Sequence, residues 1–475
     1  MHSQLVVLGG GPGGYAAAFL ASDLGMQVTI VEAEARLGGV CLLKGCIPSK
    51  ALLHVAKVIS DAQHMSEWGV SYSQPQINVE AMRKRKEQVL STLAGGLKQI
   101  AKKRNVTVIQ ARAKFENSTT LLLEASGETP PAEKRVTFDH CILATGSSPT
   151  KIPAFDLPTD RVMDSTGALE LKDIPPSLLV VGGGYIGLEM GTVYAALGTK
   201  VTVVELMDGL VPGADRDLIR PLQKRLEKQF ANIYLNTKVV SMADKGDFVE
   251  VTFDGDVKEK VQRFSRVLVS VGRRPNSGGL GLENTQVQID KKGFVVTDDQ
   301  QRTQDPHIMA IGDVAGEPML AHKAAHQGKV AVEVLHGEKV HFQPRAIPAV
   351  IFTDPEVAWA GVTEADAAKS GREVETAIFP WAASGRAQAV GRTEGLTKLF
   401  IDPNTQQIIG LGMVGPHVGD MIAEGVLAIE MGATIQDFQA SIHPHPTFSE
   451  TVAFSAEVHL GQATDLYKPK RNTSM

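Results

Sequence analysis

The feature that most constrains the fold of this chain is a glycine-rich motif that occurs twice in its 475 residues. Each copy has a short apolar strand, the pattern G-x-G-x-x-G, an Ala- or Leu-rich helix, and a second strand that ends on glutamate. The first copy runs through residues 9–14 to Glu32 and the second through residues 182–187 to Glu205, with 23 residues from first glycine to glutamate in both. A single G-x-G-x-x-G also marks ordinary turns, but the complete set found twice predicts an α/β fold with two Rossmann-like dinucleotide-binding units.

The chemistry of the two units is predicted to be the same. Glycines let the backbone approach a pyrophosphate, which rests on the helix N-terminus, and the glutamate binds the ribose hydroxyls of the adenosine half. In the second unit, Glu205 accepts a hydrogen bond from a free 2′-hydroxyl and repels a 2′-phosphate, and the next arginine is Arg216. The second site is therefore predicted to prefer NAD over NADP.

Two of the three cysteines, Cys41 and Cys46, follow the first motif with four residues between them. A bridge across so short a loop stabilises a large domain little, because the entropic gain grows with loop length. The alternative is a pair of ordinary buried thiols, but the neighbouring dinucleotide motif favours a redox pair. A redox disulfide must touch the cofactor that reduces it, so the first unit is predicted to hold the flavin and the second NAD. Cys141 lies in an apolar strand and is interpreted as a small core residue.

Composition argues against several classes of protein. Lys and Arg total 48 against 53 Asp and Glu, a net charge of -5, so no broad basic surface for nucleic acid or an anionic membrane is expected. We expect no apolar run of membrane-spanning length, and the first strand begins too early to leave room for a signal peptide. Three cysteines are too few for a secreted disulfide scaffold. We therefore expect a cytoplasmic enzyme of roughly three domains.

The order of motifs along the whole chain resembles the disulfide flavoprotein reductases, and most of all the members that oxidise dihydrolipoyl groups. The segments that carry the resemblance are residues 9–14, 41–50, 144–147, 182–187, 272–276, 312–313, 352–359, 379–387 and 443–450. It implies an FAD-binding domain (1–150), an NAD-binding domain (151–275), a central segment that returns to the FAD domain (276–345) and an α+β dimerisation domain (346–475). A homodimer is expected.

The same resemblance assigns roles to individual residues. Cys46 faces the flavin, Cys41 exchanges with substrate, and Lys50 lies near the flavin ring, paired with Glu189. The expected FAD contacts are Gly9, Gly11, Gly14, Glu32, Lys50, Ala113, Thr145, Gly146, Gly312, Asp313, Leu320, Ala321 and His322. The expected NAD contacts are Gly182, Gly184, Tyr185, Ile186, Gly187, Glu205, Val239 and Gly272. No metal site is expected.

Residue chemistry supports these roles. Pro48 and the helical pattern after it place Cys46 at or just before a helix N-terminus, where the dipole stabilises a thiolate. Dithiol exchange moves protons near neutral pH, so His445 is the candidate acid/base, with Glu450 holding its ring. The prolines around His445 exclude a helix and argue against a metal pair with His443. The resemblance implies that this loop reaches the partner subunit's disulfide.

The implied function is reoxidation of dihydrolipoamide, with electrons passing through the cysteines and FAD to NAD+. The expected partners are the lipoyl domains and E2 core of 2-oxoacid dehydrogenase complexes, or the lipoylated carrier of glycine cleavage. Glutathione-type reductases favour NADPH, which Glu205 disfavours. Mercuric reductases carry a C-terminal cysteine pair that is absent after Cys141, and the soluble pyridine transhydrogenase lacks the disulfide. A non-catalytic flavoprotein that serves as a structural subunit is a further alternative, disfavoured by the intact cysteines, His445 and Glu450.

Two positions of the redox loop depart from the family pattern, and three basic runs add little to it. Leu43 stands where the family usually has Asn, and Lys44 where a small apolar residue is common, which puts one local hydrogen bond in doubt. The basic runs at 83–86 and 102–104 are predicted to form a solvated face of a long helix, and the basic run at 468–471 a disordered tail.

Overall fold

The strands and helices alternate along most of the chain in this computed structural model, which describes residues 1–128 and 130–467. The basic run at 468–471 lies outside the described residues. The strands are β1 (His2–Leu8), β2 (Val28–Glu32), β3 (Thr107–Gln110), β4 (Arg112–Asn117), β5 (Thr120–Glu124), β6 (Arg135–Leu143), β7 (Ser147–Pro149), β8 (Val162–Met163), β9 (Ser177–Val181), β10 (Lys200–Val204), β11 (Asn232–Tyr234), β12 (Lys238–Asp244), β13 (Val249–Asp254), β14 (Val261–Phe264), β15 (Arg266–Val269), β16 (Arg273–Pro275), β17 (Ile308–Ala310), β18 (Ala349–Ile351), β19 (Glu356–Gly361), β20 (Glu375–Pro380), β21 (Leu396–Ile401) and β22 (Ile408–Gly415). The helices are α1 (Pro12–Asp23), α2 (Gly39–Lys44), α3 (Cys46–His64), α4 (Val79–Lys103), α5 (Ser165–Glu170), α6 (Tyr185–Ala196), α7 (Arg216–Gln229), α8 (Ala321–Leu335), α9 (Glu364–Ser370), α10 (Gly385–Ala389), α11 (Val418–Met431), α12 (Ile435–Ala440) and α13 (Glu450–Leu460).

The first glycine motif opens a seven-stranded sheet of order β3-β2-β1-β6-β5-β4, with β17 paired to β6. The pairs β1–β2, β1–β6, β2–β3 and β6–β17 are parallel, and helices α1 and α8 pack against each other. Cys141 in β6 is fully buried, as predicted for a core residue, and burial raises the pKa of its thiol. Because β17 returns from far along the chain, Gly312 and Asp313 lie at the same sheet edge as the first glycine turn.

The second glycine motif opens a five-stranded parallel sheet of order β11-β10-β9-β15-β8. An antiparallel meander, β12-β13-β14, lies between β11 and β15 along the chain. The three central strands of the parallel sheet, β9, β10 and β15, are largely apolar and buried, which is the pattern of a sheet covered on both faces. The two copies of the motif thus form two separate sheets of the same kind. The exact domain boundaries stay a prediction.

The last part of the described chain is an antiparallel sheet of order β18-β19-β22-β21-β20. Helix α11 packs on β19 and β22, and α13 packs on β20 and β21. This sheet meets the second unit at Lys398, which is fully buried with its ammonium 3.1 Å from Asp215, 2.9 Å from Asp217 and 2.5 Å from Glu364. The three carboxylates are close enough together to hold a metal ion, but the Lys398 ammonium supplies the cation.

Two sequence expectations need correction. The segment Gly39–Trp68, which spans α2 and α3, is long and apolar enough by length and composition to cross a membrane. This segment is interrupted at Gly45, and α3 packs on α6, so a part of it is buried against the second dinucleotide unit. The basic run at 83–86 lies on α4, but Lys86 is not part of a fully solvated face: its ammonium donates to the carbonyl of Leu169, and burial lowers its pKa.

Candidate active site

A cavity of about 1450 Å³ extends from the first glycine turn, past the two cysteines, to the start of α6. Residues from both dinucleotide units line it. Fifteen of the residues predicted from the sequence are among them: Gly9, Gly11, Glu32, Cys41, Cys46, Lys50, Ala113, Thr145, Gly146, Tyr185, Ile186, Glu189, Gly312, Asp313 and Ala321. The fold therefore brings most of the residues that were predicted to contact the flavin into one cavity, although they are spread over more than 300 residues of sequence.

Other predicted ligands do not line this cavity. Gly14 packs beneath the turn, since a Cβ there would lie 1.9 Å from the carbonyl oxygen of Gly9. Leu320 precedes α8, and the Nε2 of His322 is 2.8 Å from the carbonyl of Pro348. On the second unit, the residues outside the cavity are Gly182, Gly184, Gly187, Glu205, Val239 and Gly272. Val239 is buried in the core of its unit, whereas Gly272 is exposed. As ligands, all the predicted cofactor contacts stay predictions.

The first glycine turn fits the pyrophosphate of FAD. Gly9 has a φ of +114°, and a Cβ there would lie 2.3 Å from the carbonyl oxygen of Ala144. Helix α1 begins directly after Gly11, which makes no side-chain cap, so the first backbone N–H groups of the helix are open to an anion. The Glu32 carboxylate accepts a hydrogen bond from the Gly10 N–H at 2.6 Å, and burial raises its pKa. The backbone and the acid are thus arranged for a dinucleotide.

The second turn repeats this arrangement. The Glu205 carboxylate accepts from the Gly183 N–H at 2.6 Å, as Glu32 does from Gly10 in the first unit. Arg216 does not face an open phosphate site, because its guanidinium donates to the backbone carbonyls of Leu210, Val211 and Ala214. The second turn therefore presents a carboxylate with its nearest arginine already engaged.

The two cysteines lie on adjacent helices. Cys41 belongs to α2, and Cys46 is the first residue of α3, which confirms the predicted place at a helix N-terminus. A hydrogen bond from Cys41 is the main cause that lowers the pKa of Cys46 to about 7; burial opposes it, and the charge of Lys50 assists it. The same hydrogen bond raises the pKa of Cys41. Cys46 is therefore the thiolate of the pair at neutral pH.

Lys50 and Glu189 form the ion pair that the resemblance implied. The Lys50 ammonium is 2.9 and 3.1 Å from the two oxygens of the buried Glu189 carboxylate, and it lies 4.3 Å from the centre of the Phe352 ring. Glu189 also accepts from the Ser49 hydroxyl at 3.1 Å and from the Phe352 N–H at 3.0 Å. Sequence reasoning missed Ser49 and Phe352. Together these contacts tie α3, α6 and the start of the C-terminal sheet at one point.

Asp313 is held by residues from two other segments that carry the resemblance, although neither residue was predicted as a ligand. Its carboxylate accepts from the Ser147 hydroxyl at 2.5 Å, and Ser147 in turn accepts from the Arg273 guanidinium at 2.8 Å. The adjacent Gly312 N–H donates to the Gln327 amide oxygen at 2.8 Å. The Ala-Thr-Gly-Ser and Gly-Arg-Arg-Pro segments of the resemblance therefore meet at this carboxylate.

The unusual residues of the redox loop have structural partners. Leu43 lines the cavity and packs in a small apolar cluster with Leu42 and Leu90. The Lys44 ammonium is 2.5 Å from the Glu34 carboxylate, and the Glu34 N–H donates to Glu32 at 2.8 Å. Lys44 thus links the cysteine-bearing helix α2 to the loop that follows β2.

His445 and Glu450 form a hydrogen-bonded pair, as the sequence predicted. The Nδ1 of His445 lies 2.8 Å from one Glu450 oxygen, and the other oxygen accepts from the Thr447 N–H at 2.7 Å. The His445 side chain is 76% exposed, whereas that of Glu450 is 10% exposed. Neither residue lines the cavity that contains Cys41 and Cys46. Within one chain, the candidate base is therefore apart from the candidate redox pair.

Comparison with known proteins agrees with this architecture. Residues 3–328 match the pyridine nucleotide-disulphide oxidoreductases, and residues 347–456 match the dimerisation domain of that family. Relatives named dihydrolipoyl dehydrogenase from Vibrio parahaemolyticus and Haemophilus influenzae are each 47% identical, over 471 and 470 residues, covering 99% of this chain and 98% of each relative.

Solved structures give the same result. The crystal structure of LpdA from Mycobacterium tuberculosis is similar with a TM-score of 0.88 and 26% identity, covering 96% of this chain and 99% of that one. The Cu(II) complex of the HOCl-induced flavoprotein disulfide reductase RclA from Escherichia coli has a TM-score of 0.85 and 27% identity, with the same coverage. These matches confirm the predicted fold class and the resemblance on which it rested. With its two dinucleotide units, cysteine pair and dimerisation domain, the chain belongs to the pyridine nucleotide-disulphide oxidoreductases.

Proposed function

We propose that this chain is an enzyme that oxidises dihydrolipoyl groups and passes their electrons through Cys41 and Cys46 and FAD to NAD+. The observation that carries the proposal is the cysteine pair on the wall of the dinucleotide cavity, with the pKa of Cys46 lowered to about 7. The full-length relatives are named dihydrolipoyl dehydrogenase, which agrees with that chemistry.

The chain's own cysteines carry out the thiol–disulfide exchange. One substrate thiolate attacks the sulfur of Cys41 in the oxidised pair, forming a mixed disulfide and releasing Cys46 as a thiolate. The second substrate thiol then attacks the mixed disulfide, closing the substrate's ring disulfide and releasing Cys41, which takes a proton. The low pKa of Cys46 makes it the better leaving group, because a thiol of lower pKa leaves faster. Bound FAD supplies the two-electron transfer from the reduced pair to NAD+.

The charge next to the pair stabilises its reduced form. Lys50 carries the nearest cation that favours the Cys46 thiolate, and Glu189 holds that cation in place. Removing Lys50 would leave the Glu189 carboxylate buried without a cation, a change that costs up to about 3–5 kcal/mol. We therefore assign Lys50 and Glu189 to the support of the thiolate beside the cofactor.

Proton transfer falls to His445, with Glu450 orienting its ring through Nδ1 and leaving Nε2 to meet the substrate thiol. The dimerisation-domain match supports a homodimer. Large apolar side chains are exposed in the loop and on α11: Ile442 is 100% exposed, Met431 76% and Leu427 64%. Because exposed large apolar side chains are typical of an interface, we infer that the loop lies against the partner subunit, where His445 serves the partner's cysteines.

NAD is the proposed electron acceptor. A 2′-phosphate would meet the Glu205 carboxylate, and Arg216 is engaged by three backbone carbonyls. Charge repulsion without a free arginine disfavours NADP.

The proposed electron donors are lipoyl domains of a 2-oxoacid dehydrogenase complex, on whose E2 core the dimer would dock, or the lipoylated carrier of glycine cleavage. The proposed compartment is the cytoplasm.

The decisive experiment is steady-state reduction of NAD+ by dihydrolipoamide, run beside reduced glutathione and with NADP+ in place of NAD+. We expect turnover with the first pair of substrates and little with the others, and we expect Cys41→Ser to remove that turnover. Preference for glutathione or NADP+ would contradict the proposal.

A further inference from the structure

The loop that carries His445 holds a second histidine–glutamate pair. This loop, residues 441–449, connects α12 to α13. Midway along it His445 pairs with Glu450 of α13, and near its start His443 pairs with Glu424 of α11. The loop is therefore tied at two places to two different helices, each time by one histidine and one glutamate.

Both ring nitrogens of His443 face acceptors. Its Nε2 is 2.7 Å from the Glu424 carboxylate, and its Nδ1 is 3.0 Å from the Ser441 carbonyl. A carboxylate and a carbonyl donate nothing, and a neutral imidazole carries only one N–H. The His443 side chain is 10% exposed and its contact with Glu424 is partly buried, so water replaces that hydrogen bond poorly. Only the doubly protonated ring satisfies both contacts.

The charges around the ring favour that form. The hydrogen bond to Glu424 of α11 is the main cause that raises the pKa of His443; burial opposes it, and the Ser441 carbonyl and the charge of Glu450 on α13 add to it. Glu424 faces the ring from α11, and Glu450 faces it from α13. His443 therefore remains an imidazolium above the pH at which an exposed histidine loses its proton.

We propose that His443, as an imidazolium clamped between Glu424 and the Ser441 carbonyl, is a positioning residue that holds the His445 loop in place for dihydrolipoyl oxidation. The proposal rests on the proposed function, since it assigns the loop's purpose to the proton transfer by His445. His443 makes no bond to substrate and transfers no proton in the reaction. It restrains the start of the segment, as Glu450 restrains it farther along.

The direction of the pH effect follows from the hydrogen bonds. A group whose pKa is raised by folding loses its contribution as the pH rises through that raised pKa. Above it, neutral His443 must give up either the Glu424 or the Ser441 contact, and the loop is released at one end. Dihydrolipoyl oxidation should therefore fall on the alkaline side, and removal of the Glu424 charge should move that fall to lower pH.

The test compares Glu424→Gln with Glu375→Gln in the full-length holoenzyme. Glu375 on β20 lies 3.4 Å from His459 of α13, a histidine–glutamate pair of the same domain outside the loop. For Glu424→Gln we expect kcat for dihydrolipoamide to fall about two- to tenfold at alkaline pH, the effect of one weakened hydrogen bond, with the alkaline limb at lower pH. Oxidation of NADH by an artificial acceptor should stay unchanged, and Glu375→Gln should behave like the wild type in both assays.

A second measurement does not depend on activity. The side-chain ¹⁵N resonances of His443, assigned by their loss in His443→Gln, should titrate at higher pH than those of exposed histidines and should shift down in Glu424→Gln. A normal titration of His443, an unmoved alkaline limb in Glu424→Gln, or an equal shift in Glu375→Gln would overturn the proposal. If the wild type does not oxidise dihydrolipoamide, the proposed function fails, while the histidine titration still decides the protonation of His443.

Discussion

The cysteine pair is complete within one chain, because α2 and α3 place Cys41 and Cys46 together on the wall of the cavity. The His445–Glu450 pair is equally well formed, but it lies outside that cavity with the histidine ring exposed. The electron-transfer half of the site is therefore built locally in sequence, whereas we propose that the proton-transfer half acts on the cysteines of a second subunit. The two halves should fail separately when they are mutated.

The largest effect should come from the electron-transfer half. Cys46→Ser should abolish both dihydrolipoamide turnover and the long-wavelength charge-transfer absorbance of the two-electron-reduced yellow protein, because the Cys46 thiolate is its donor. In the wild type this absorbance should disappear as the pH falls through about 7, where Cys46 is protonated. Cys41→Ser should change that midpoint, since the Cys41 thiol is the main cause of the low pKa. An absorbance that survives in Cys46→Ser would show that the cysteine roles are reversed.

The next effect isolates the proton-transfer half. His445→Gln should lower dihydrolipoamide turnover by about 10²- to 10⁴-fold, the usual contribution of general acid/base catalysis, and leave NADH oxidation by an artificial acceptor near the wild-type rate. Stopped-flow reduction by dihydrolipoamide measures the first rate directly.

Mixing the two single variants tests whether the halves meet across the dimer. A heterodimer of Cys41→Ser and His445→Gln chains has one site with both residues intact, so part of the activity should return. No recovery in verified heterodimers would place both halves in the same chain.

A smaller effect is expected at Glu205 beside the second glycine turn, which lies outside the cavity that contains the cysteines. Glu205→Ala combined with Met207→Arg should weaken NAD and improve NADP by about 10- to 100-fold in relative kcat/KM, through lost ribose hydrogen bonds and lost repulsion. The Cys46 absorbance should be unaffected in this variant. A wild-type preference for NADPH would contradict the assignment of Glu205.

The smallest effect concerns the salt bridge between α2 and the loop after β2. Lys44→Ala should speed FAD release about two- to fivefold at low salt, because exposed ion pairs contribute little and are screened. Lys114→Ala is the matched control, since Lys114 and Glu124 also line the cavity and lie 2.8 Å apart, but within one β-hairpin. Flavin fluorescence measures the release. Equal rates for the two variants would show that the link to α2 has no role in holding the cofactor.

Some of the site could be predicted because its determinants are local. The cysteine spacing, the proline after Cys46 and the His445 loop need only the sequence around them. Glu189 could be paired with Lys50 only through the resemblance, and nothing in the sequence pointed to Ser49 or Phe352 as its further partners. Gly14 packs on Gly9 outside the cavity, a position that the motif by itself does not give.

The sequence by itself determined the two dinucleotide units, the redox pair and the acid/base candidate, because glycine turns, helix starts and short loops are set by neighbouring residues. Only the tertiary structure decided that β17 pairs in parallel with β6, that Lys398 joins two domains, and that His443 is clamped by Glu424. These contacts join residues that are far apart in the chain. The pairing of buried charges depends on the distance between them and on their desolvation, which cannot be read from the neighbouring residues in the sequence.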